Sequence, residues 1–144
     1  FVELLIQNIR GKNATYAPKG DIGAKKSYLW LRKGKSLALL MDQKLNEGLS
    51  IDFLGRPAYT ASFIADIAIR MNLDIVPIKF SRDINNHNVI TFYKKINMPK
   101  NNLSKNKKIS FILKQVNDVM SQWIKDQPEN WLWIHRRWQK DLYV

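Results

Sequence analysis

SLALLMDQK, residues 36–44, is the stretch from which the fold can be predicted. Its apolar residues 37–41 follow one another without alternation, as is typical of a strand that is covered on both faces. The run ends in an acid and an amide, Asp42 and Gln43. Ligands in α/β sheets bind beyond the carboxyl ends of the strands, whereas Asp is also a common turn residue. Asp42 and Gln43 therefore either line a ligand site or form a turn.

Helical and strand patterns alternate on both sides of this predicted strand. Gly34 should end the helix before it, and Thr60 should cap the amino end of the helix that follows it. Residues 85–88, Asn-Asn-His-Asn, are typical of a hairpin turn. The expected elements are, in order, a helix over 2–9, a helix over 22–33, the strand 36–41, a strand over 51–54, a helix over 61–72, strands over 74–80 and 89–93, and a helix over 109–124.

This order of elements predicts an α/β fold. We expect a mixed sheet covered by helices, in one domain over residues 1–144, because a chain of this length can bury a core of its own. The first residue is Phe1 rather than Met, which suggests a processed product or a piece of something longer.

The balance of charge is the strongest compositional signal. Twenty-four Lys and Arg against twelve Asp and Glu give a net charge of +12. Such a charge predicts attraction to a polyanion, whether nucleic acid, an anionic bilayer or a phosphorylated substrate. No apolar run approaches the roughly 18 residues of a membrane span, so any membrane contact is expected to be peripheral.

Several kinds of site are not expected in this chain. It has no cysteine, which excludes disulfides and thiolate metal ligands. His87 and His135 have no carboxylate at ligand spacing, so no metal site is predicted. The six glycines are scattered and form no phosphate-binding loop, and a serine-nucleophile motif is absent. No cofactor is expected.

The end of the chain combines tryptophans with cations. Residues 128–138, PENWLWIHRRW, hold three Trp together with His135, Arg136 and Arg137. In one interpretation the Trp rings anchor the segment while the guanidinium groups bind phosphate or carboxylate. In the other the cations cover apolar surface and pair with acids such as Asp126 or Asp141.

Several of these motifs, taken together, resemble one enzyme family. They are KGK at 33–35, LMDQK at 40–44, FLGRPA at 53–58, the Val-Pro pair at 76–77 and PENWLWIHRRW at 128–138. In this order they resemble the carboxyl-terminal half of the late lipid A acyltransferases, the lauroyl and myristoyl transferases of the lysophospholipid acyltransferase superfamily. The terminal motif is the most specific of them.

The resemblance implies an acyltransferase-like α/β sandwich that is incomplete at its amino end. It implies transfer of a fatty acyl chain from acyl carrier protein to a hydroxyl of a Kdo-containing, phosphorylated lipid A precursor, at the anionic cytoplasmic face of the inner membrane. In the family a His followed five residues later by Asp or Glu acts as the base. Here Phe92 and Lys140 stand five residues after the two histidines. No catalytic residue is therefore expected in this chain, and the half with the base and membrane anchor is expected to be absent.

The remaining site residues follow from the same resemblance. Asp42 and Gln43 match the acidic motif after the strand and are expected to support the catalytic site. The expected substrate-binding residues are all cationic or imidazole side chains: Arg10, Lys44, Arg56, His135, Arg136 and Arg137.

Two alternatives from other classes stay open on the sequence alone. The lysine clusters and tryptophans are compatible with a basic module that binds nucleic acid or an anionic membrane. The chain is also compatible with a degenerate or truncated product that has no activity. If the resemblance holds, no nucleic-acid partner is expected.

Overall fold

The structure, a computed structural model, describes residues 15–18, 20–140 and 143. Its helices and strands confirm the predicted α/β class. The elements are α1 (Asp21–Arg32), β1 (Leu49–Phe53), β2 (Arg56–Thr60), α2 (Phe63–Met71), β3 (Ile78–Arg82), β4 (Asn88–Phe92) and α3 (Lys105–Asp126), with a short 3-10 helix over Pro128–Asn130. The chain divides into two compact units, Phe1–Ala38 and Leu39–Val144.

Helix α1 lies in the first unit and ends as predicted. Gly34 takes a positive φ of 71°, its N–H donates to the Leu31 carbonyl, and the Lys35 N–H donates to the Trp30 carbonyl. These two bonds form a Schellman motif, which satisfies carbonyls that the helix end leaves free. Arg32 in the last turn suits the negative end of the helix dipole.

The strands of the second unit form two separate antiparallel hairpins, β1–β2 and β3–β4. Among the described residues no other strand pairing joins them, where one mixed sheet was expected. The β1–β2 turn consists of Leu54 and Gly55, with φ of 54° and 81°. Positive φ at both positions is the signature of a type I′ turn, whose twist matches that of the flanking strands.

Helix α3 is the central element of the second unit. The helix predicted over 109–124 is confirmed, and the apolar side chains that recur along it at spacings of three and four are buried or half-buried: Ile109, Ile112, Leu113, Val116, Val119, Met120, Trp123 and Ile124. The middle of α3 packs against α2 and its flanking segments, and its end packs against Phe53 of β1, Ala58 of β2 and the terminal tryptophans. The core residues around α2 and α3 are Ala65, Ala68, Ile75, Ile96, Ile109, Ile112, Leu113 and Val116.

The predicted strand over 36–41 is wrong for this structure. These residues belong to no strand, and the boundary between the two compact units falls inside them, after Ala38. Leu39 and Leu40 are exposed, and only Met41 packs against the core. An apolar run favours burial, but a strand also needs a partner for its backbone, which composition does not supply.

Three further predictions need adjustment. The strand predicted over 51–54 was expected to stand without a hairpin partner after it, but residues 56–60 form β2. Thr60 ends β2 and does not cap α2, whose amino cap is Ser62. The strand expected at 74–80 begins only at Ile78, directly after Pro77, which has no backbone donor. The predicted helix over 2–9 lies outside the described residues.

Candidate functional site

Arg137 attaches the end of the chain to hairpin β1–β2. Its side chain is fully buried, its Nη1 donates to the Tyr59 carbonyl at 2.5 Å, and its Nη2 donates to the Thr60 hydroxyl at 2.8 Å. The guanidinium also lies 4.7 Å from the centre of the Phe53 ring. Both hydrogen bonds and the ring contact are contacts within the protein, so Arg137 stabilises the fold.

The Thr60 hydroxyl connects Arg137 to helix α3. It donates to the Ala58 carbonyl at 3.2 Å and accepts from Asn117 Nδ2 at 3.1 Å as well as from Arg137. Asn117 Nδ2 also donates to the Asp52 carbonyl at 2.9 Å. Thr60 and Asn117 are both fully buried, and buried polar groups are stable where they are hydrogen-bonded in this way. One network therefore joins α3, both strands and the terminal segment.

The loop that contains Asp42 comes to the same end of the hairpin. The Leu45 N–H donates to the Tyr59 carbonyl at 3.4 Å, the same carbonyl that accepts from Arg137. Gly48 lies so close to β2 that a Cβ there would stand 2.5 Å from the Thr60 carbonyl oxygen. Only glycine permits this approach. The Tyr59 carbonyl is therefore the meeting point of the 42–48 loop and the terminal segment.

Electrostatics link Asp42 to Arg137. Burial lowers the pKa of the Arg137 guanidinium, and the negative charge of Asp42 acts in the opposite direction. No carboxylate among the described residues forms an ion pair with Arg137. Its Nε is buried without a hydrogen-bond partner. Asp42 is half-buried, and its charge opposes the effect of burial on this guanidinium without a direct ion pair.

Aromatic packing holds the terminal segment in place. The Trp131 and Trp138 rings lie 5.7 and 5.8 Å from Phe53, and Trp138 Nε1 donates to the Phe53 carbonyl at 3.3 Å. His135 and Arg136, which precede the buried Arg137, are exposed. The Arg136 guanidinium lies 5.9 Å from the Tyr143 ring. The terminal segment thus buries Arg137 and leaves its neighbours His135 and Arg136 exposed.

Five of the predicted site residues lie within three residues of Leu45 or Arg137, the two residues that donate to the Tyr59 carbonyl. Asp42, Gln43 and Lys44 lie in or beside the loop that bonds to Tyr59, and His135 and Arg136 lie beside the arginine that bonds to it. Substrate contact stays a prediction for these five residues.

Two predicted binding residues are placed elsewhere. Arg56 stands next to the β1–β2 turn, four residues before Thr60, which corresponds to about 13 Å along the strand. It is exposed at the opposite end of β2 from the Tyr59 region. Arg10 lies outside the described residues.

Thr60, Asn117 and Ser121 are residues whose roles sequence reasoning missed. Ser121 is buried, and its hydroxyl accepts from the Leu54 N–H at 3.0 Å. A signal for the two α3 residues existed: Asn117 and Ser121 follow the buried Leu113 at spacings of four, so they lie on the core side of the helix. Polar residues at core positions need buried partners. Thr60 gave no such signal, because its position also suited a helix cap.

The one imidazole–carboxylate contact in the described part of the chain is explained by turn structure. Asp83 Oδ1 accepts from the Asn85 and His87 N–H groups at 2.9 and 2.8 Å, and the His87 ring nitrogen lies 3.1 Å from Asp83 Oδ2. The backbone bond from His87 is the main cause of the lowered pKa of Asp83. Both side chains are exposed in the β3–β4 turn, and we give them no catalytic role. Among the described residues, no three potential metal ligands cluster.

Comparison with known proteins gives one family. No curated protein matches the chain significantly. The model of a family described as bacterial lipid A biosynthesis acyltransferase matches residues 10–140, which is most of the 144 residues. The chain therefore belongs to the bacterial lipid A biosynthesis acyltransferase family.

Proposed function

We propose that the protein takes part in the transfer of a fatty acyl chain from acyl carrier protein to a hydroxyl of a Kdo-containing lipid A precursor. Family membership supports an acyltransferase of lipid A biosynthesis. The acyl carrier protein donor and the Kdo-containing acceptor are the parts of the proposal that go beyond the family. They fit a chain with a net charge of +12, because both partners are anionic.

The observation that carries the proposal is the convergence at the Tyr59 carbonyl. The Leu45 N–H, three residues after Asp42, and the guanidinium of the buried Arg137 both donate to this carbonyl, and the charge of Asp42 acts on the same guanidinium. Exposed His135 and Arg136 adjoin Arg137, and the half-buried Lys44 follows Asp42 by two residues. A carboxylate beside several cations can position a hydroxyl while the cations bind phosphate groups.

We assign the roles accordingly. Asp42 and Gln43 support the reacting hydroxyl, and Lys44, His135 and Arg136 bind phosphate or carboxylate groups of the acceptor. The His-x4-Asp/Glu motif of the family is absent from the 144 residues. The proposed base is therefore a histidine outside this sequence, and the chain by itself is proposed to be inactive.

The proposed location is the cytoplasmic face of the inner membrane. The acceptor is a lipid, and the anionic inner leaflet attracts a strongly basic surface. Among the described residues, no helix has the length and apolar content that a membrane span requires. The proposed contact of this chain with the bilayer is peripheral.

The test is the substitution Asp42→Asn in the complete acyltransferase that contains this sequence. Loss of the carboxylate should lower acyl transfer by about a hundredfold, because a misplaced reacting group costs that order in rate. Transfer is measured with acyl carrier protein as donor and a phosphorylated lipid A precursor as acceptor. Asp126→Asn, which removes an exposed carboxylate at the end of α3, is the matched control and should leave the rate unchanged. Unchanged turnover in Asp42→Asn, with the fold intact, would remove Asp42 from the site.

The nucleic-acid alternative is not favoured by the packing of the aromatic residues. The Trp131 ring lies 4.6 Å from Trp133 and 5.9 Å from Trp138, in edge-on arrangements. Rings that pack against each other offer fewer free faces for bases. Gel-shift titration with RNA and DNA, beside sedimentation with anionic vesicles, separates the two classes. Nucleic-acid binding that persists at moderate salt without vesicle binding would favour the alternative.

A further inference from the structure

Hairpin β3–β4 carries four apolar side chains on one face. In its register Ile78 pairs with Phe92, and Phe80 pairs with Ile90. Directly paired residues of antiparallel strands lie on the same face, and so do residues two apart along a strand. All four side chains are exposed; Phe80 and Phe92 keep 71% and 69% of their surface. Exposed apolar faces of this kind usually mark an interaction site.

The opposite face of the hairpin is attached to α3. Lys79 Nζ donates to Gln127 Oε1, just beyond α3, at 2.7 Å. The Tyr93 ring, directly after β4, lies 4.9 Å from the Trp123 ring of α3. Lys79 and Tyr93 alternate with Ile78 and Phe92, so these contacts direct the four apolar side chains away from α3.

The tip of the hairpin is also apolar. Ile84 is 100% exposed in the turn between β3 and β4. Asp83 already closes this turn by accepting from two backbone N–H groups, and Asn86 supplies its positive φ of 65°. The turn therefore needs no isoleucine for its own structure, and a polar residue would be usual in water.

Cations stand at both ends of the apolar face. By alternation from Ile78 and Phe80, Arg82 lies on the same face at the tip end. Lys94, two residues after Phe92, is exposed beyond the other end. Apolar and aromatic side chains between Lys and Arg residues are typical of segments that lie at the boundary of headgroups and acyl chains. Charge complementarity favours anionic lipid as the partner.

We propose that hairpin β3–β4 docks the protein on anionic bilayers, with Phe80, Phe92 and Ile84 in the boundary between headgroups and acyl chains. Arg82 and Lys94 then contact lipid phosphates. The inference rests on the proposed function only in that the acceptor is a lipid. It assigns membrane contact to one element, which lies outside the Tyr59 region.

The test measures binding of the full 144-residue chain to vesicles of phosphatidylglycerol and phosphatidylethanolamine by sedimentation. Phe80→Glu and Ile84→Glu should each lower the partition coefficient by about tenfold or more, because each removes a large apolar side chain from the bilayer. Phe111→Glu, the same change at an exposed position of α3, is the matched control and should bind as the unmodified protein does. Circular dichroism checks that each variant is folded.

The proposed contact of Arg82 with lipid phosphate is tested with Arg82→Gln. The control is Lys125→Gln, which changes an exposed lysine at the end of α3. Arg82→Gln should weaken binding to anionic vesicles and leave the weaker binding to neutral vesicles unchanged. Binding of Phe80→Glu and Ile84→Glu at the unmodified level overturns the proposal. A change in oligomeric state on gel filtration, with vesicle binding unchanged, would assign the face to a second copy and also overturn it.

Failure of this inference is distinct from failure of the proposed function. Acyl transfer to a detergent-dispersed acceptor requires no docking on a bilayer, so it tests Asp42 independently. Vesicle sedimentation involves no acyl transfer and tests the hairpin independently.

Discussion

Arg137 fixes the position of the terminal segment, because its buried guanidinium donates hydrogen bonds to the last two residues of β2. Its Nη1 and Nη2 satisfy the Tyr59 carbonyl and the Thr60 hydroxyl. Arg136, its neighbour, is exposed. Adjacent arginines of the same motif therefore have different physical roles: one stabilises the fold and the other is accessible to a ligand.

Substitution of Arg137 should destabilise the protein. Arg137→Ala leaves a cavity and removes one buried and one partly buried hydrogen bond, so we expect a loss of about 3 kcal/mol in the free energy of unfolding. Urea denaturation followed by tryptophan fluorescence measures it. Arg136→Ala is the control and should change the free energy of unfolding by less than about 0.5 kcal/mol. Equal midpoints for the two variants would contradict the structural role of Arg137.

Asp66 makes a pH-dependent contribution to the free energy of unfolding. Burial opposes its charge, but hydrogen bonds and charge attraction from Lys105 and Arg70 outweigh this and lower the pKa of Asp66. Its Oδ1 lies 2.7 Å from Lys105 Nζ at the start of α3, and its Oδ2 lies 2.7 Å from Arg70 Nε. Asp66 thus connects α2 to α3.

The sign of the pH effect follows from the lowered pKa. A carboxylate with a lower pKa in the folded state stabilises the protein above its unfolded pKa, and this stabilisation is lost as pH falls through the folded pKa. Asp66→Asn should therefore lower the free energy of unfolding by roughly 1 kcal/mol at neutral pH, because exposed cations contribute little. The loss should be smaller in acid. Chemical denaturation between neutral pH and acid measures the difference. Glu47→Gln, an exposed loop carboxylate, is the control; a loss independent of pH in Asp66→Asn would contradict this account.

At the scale of elements, hairpin β1–β2 provides the platform for the candidate site. Its turn requires positive φ at Leu54 and Gly55, and its other end carries Tyr59 and Thr60. The turn sets the register, and the register decides that Thr60 pairs with Leu49 and faces the α3 network.

Gly55→Ala tests this element. Positive φ costs a residue with a Cβ roughly 1 kcal/mol or more, and nothing within 4 Å of the added Cβ would complicate the result. We expect a lower thermal midpoint with an unchanged circular dichroism spectrum. A matched Ala substitution at the exposed Glu47, outside the turn, should keep the midpoint. A midpoint unchanged in Gly55→Ala would show that the turn is not held in this conformation.

For the whole molecule, net charge is the property with the clearest consequence. A charge of +12 accelerates association with anionic partners through long-range attraction, which dissolved salt screens over about 10 Å at 0.1 M. The association rate with acyl carrier protein or with anionic vesicles should fall steeply between low and moderate salt.

Stopped-flow mixing at increasing salt measures this dependence. Dissociation should change less than association, because steering acts on the encounter. A variant in which two exposed lysines outside the proposed contacts, Lys25 and Lys107, become Glu should show a shallower dependence on salt. An association rate that does not respond to salt would contradict electrostatic steering.

Local signals in the sequence predicted the elements that depend on local chemistry. The end of α1 follows from Gly34, the β3–β4 hairpin from the turn residues 85–88, and α3 from its apolar spacing. In each case the decisive contacts join residues close in sequence. The terminal motif, a local pattern, likewise resembles the family to which the chain belongs.

The tertiary structure alone decided the parts that depend on distant partners. The run at 37–41 is apolar in sequence, yet among the described residues no strand pairs with it. Arg137 and Arg136 are identical as residues, but only Arg137 reaches acceptors 77 and 78 positions away and is buried. Sequence determines which side chains could be buried or bonded, because that is a property of each residue and its neighbours. Which of them are buried depends on partners that only the folded chain brings together.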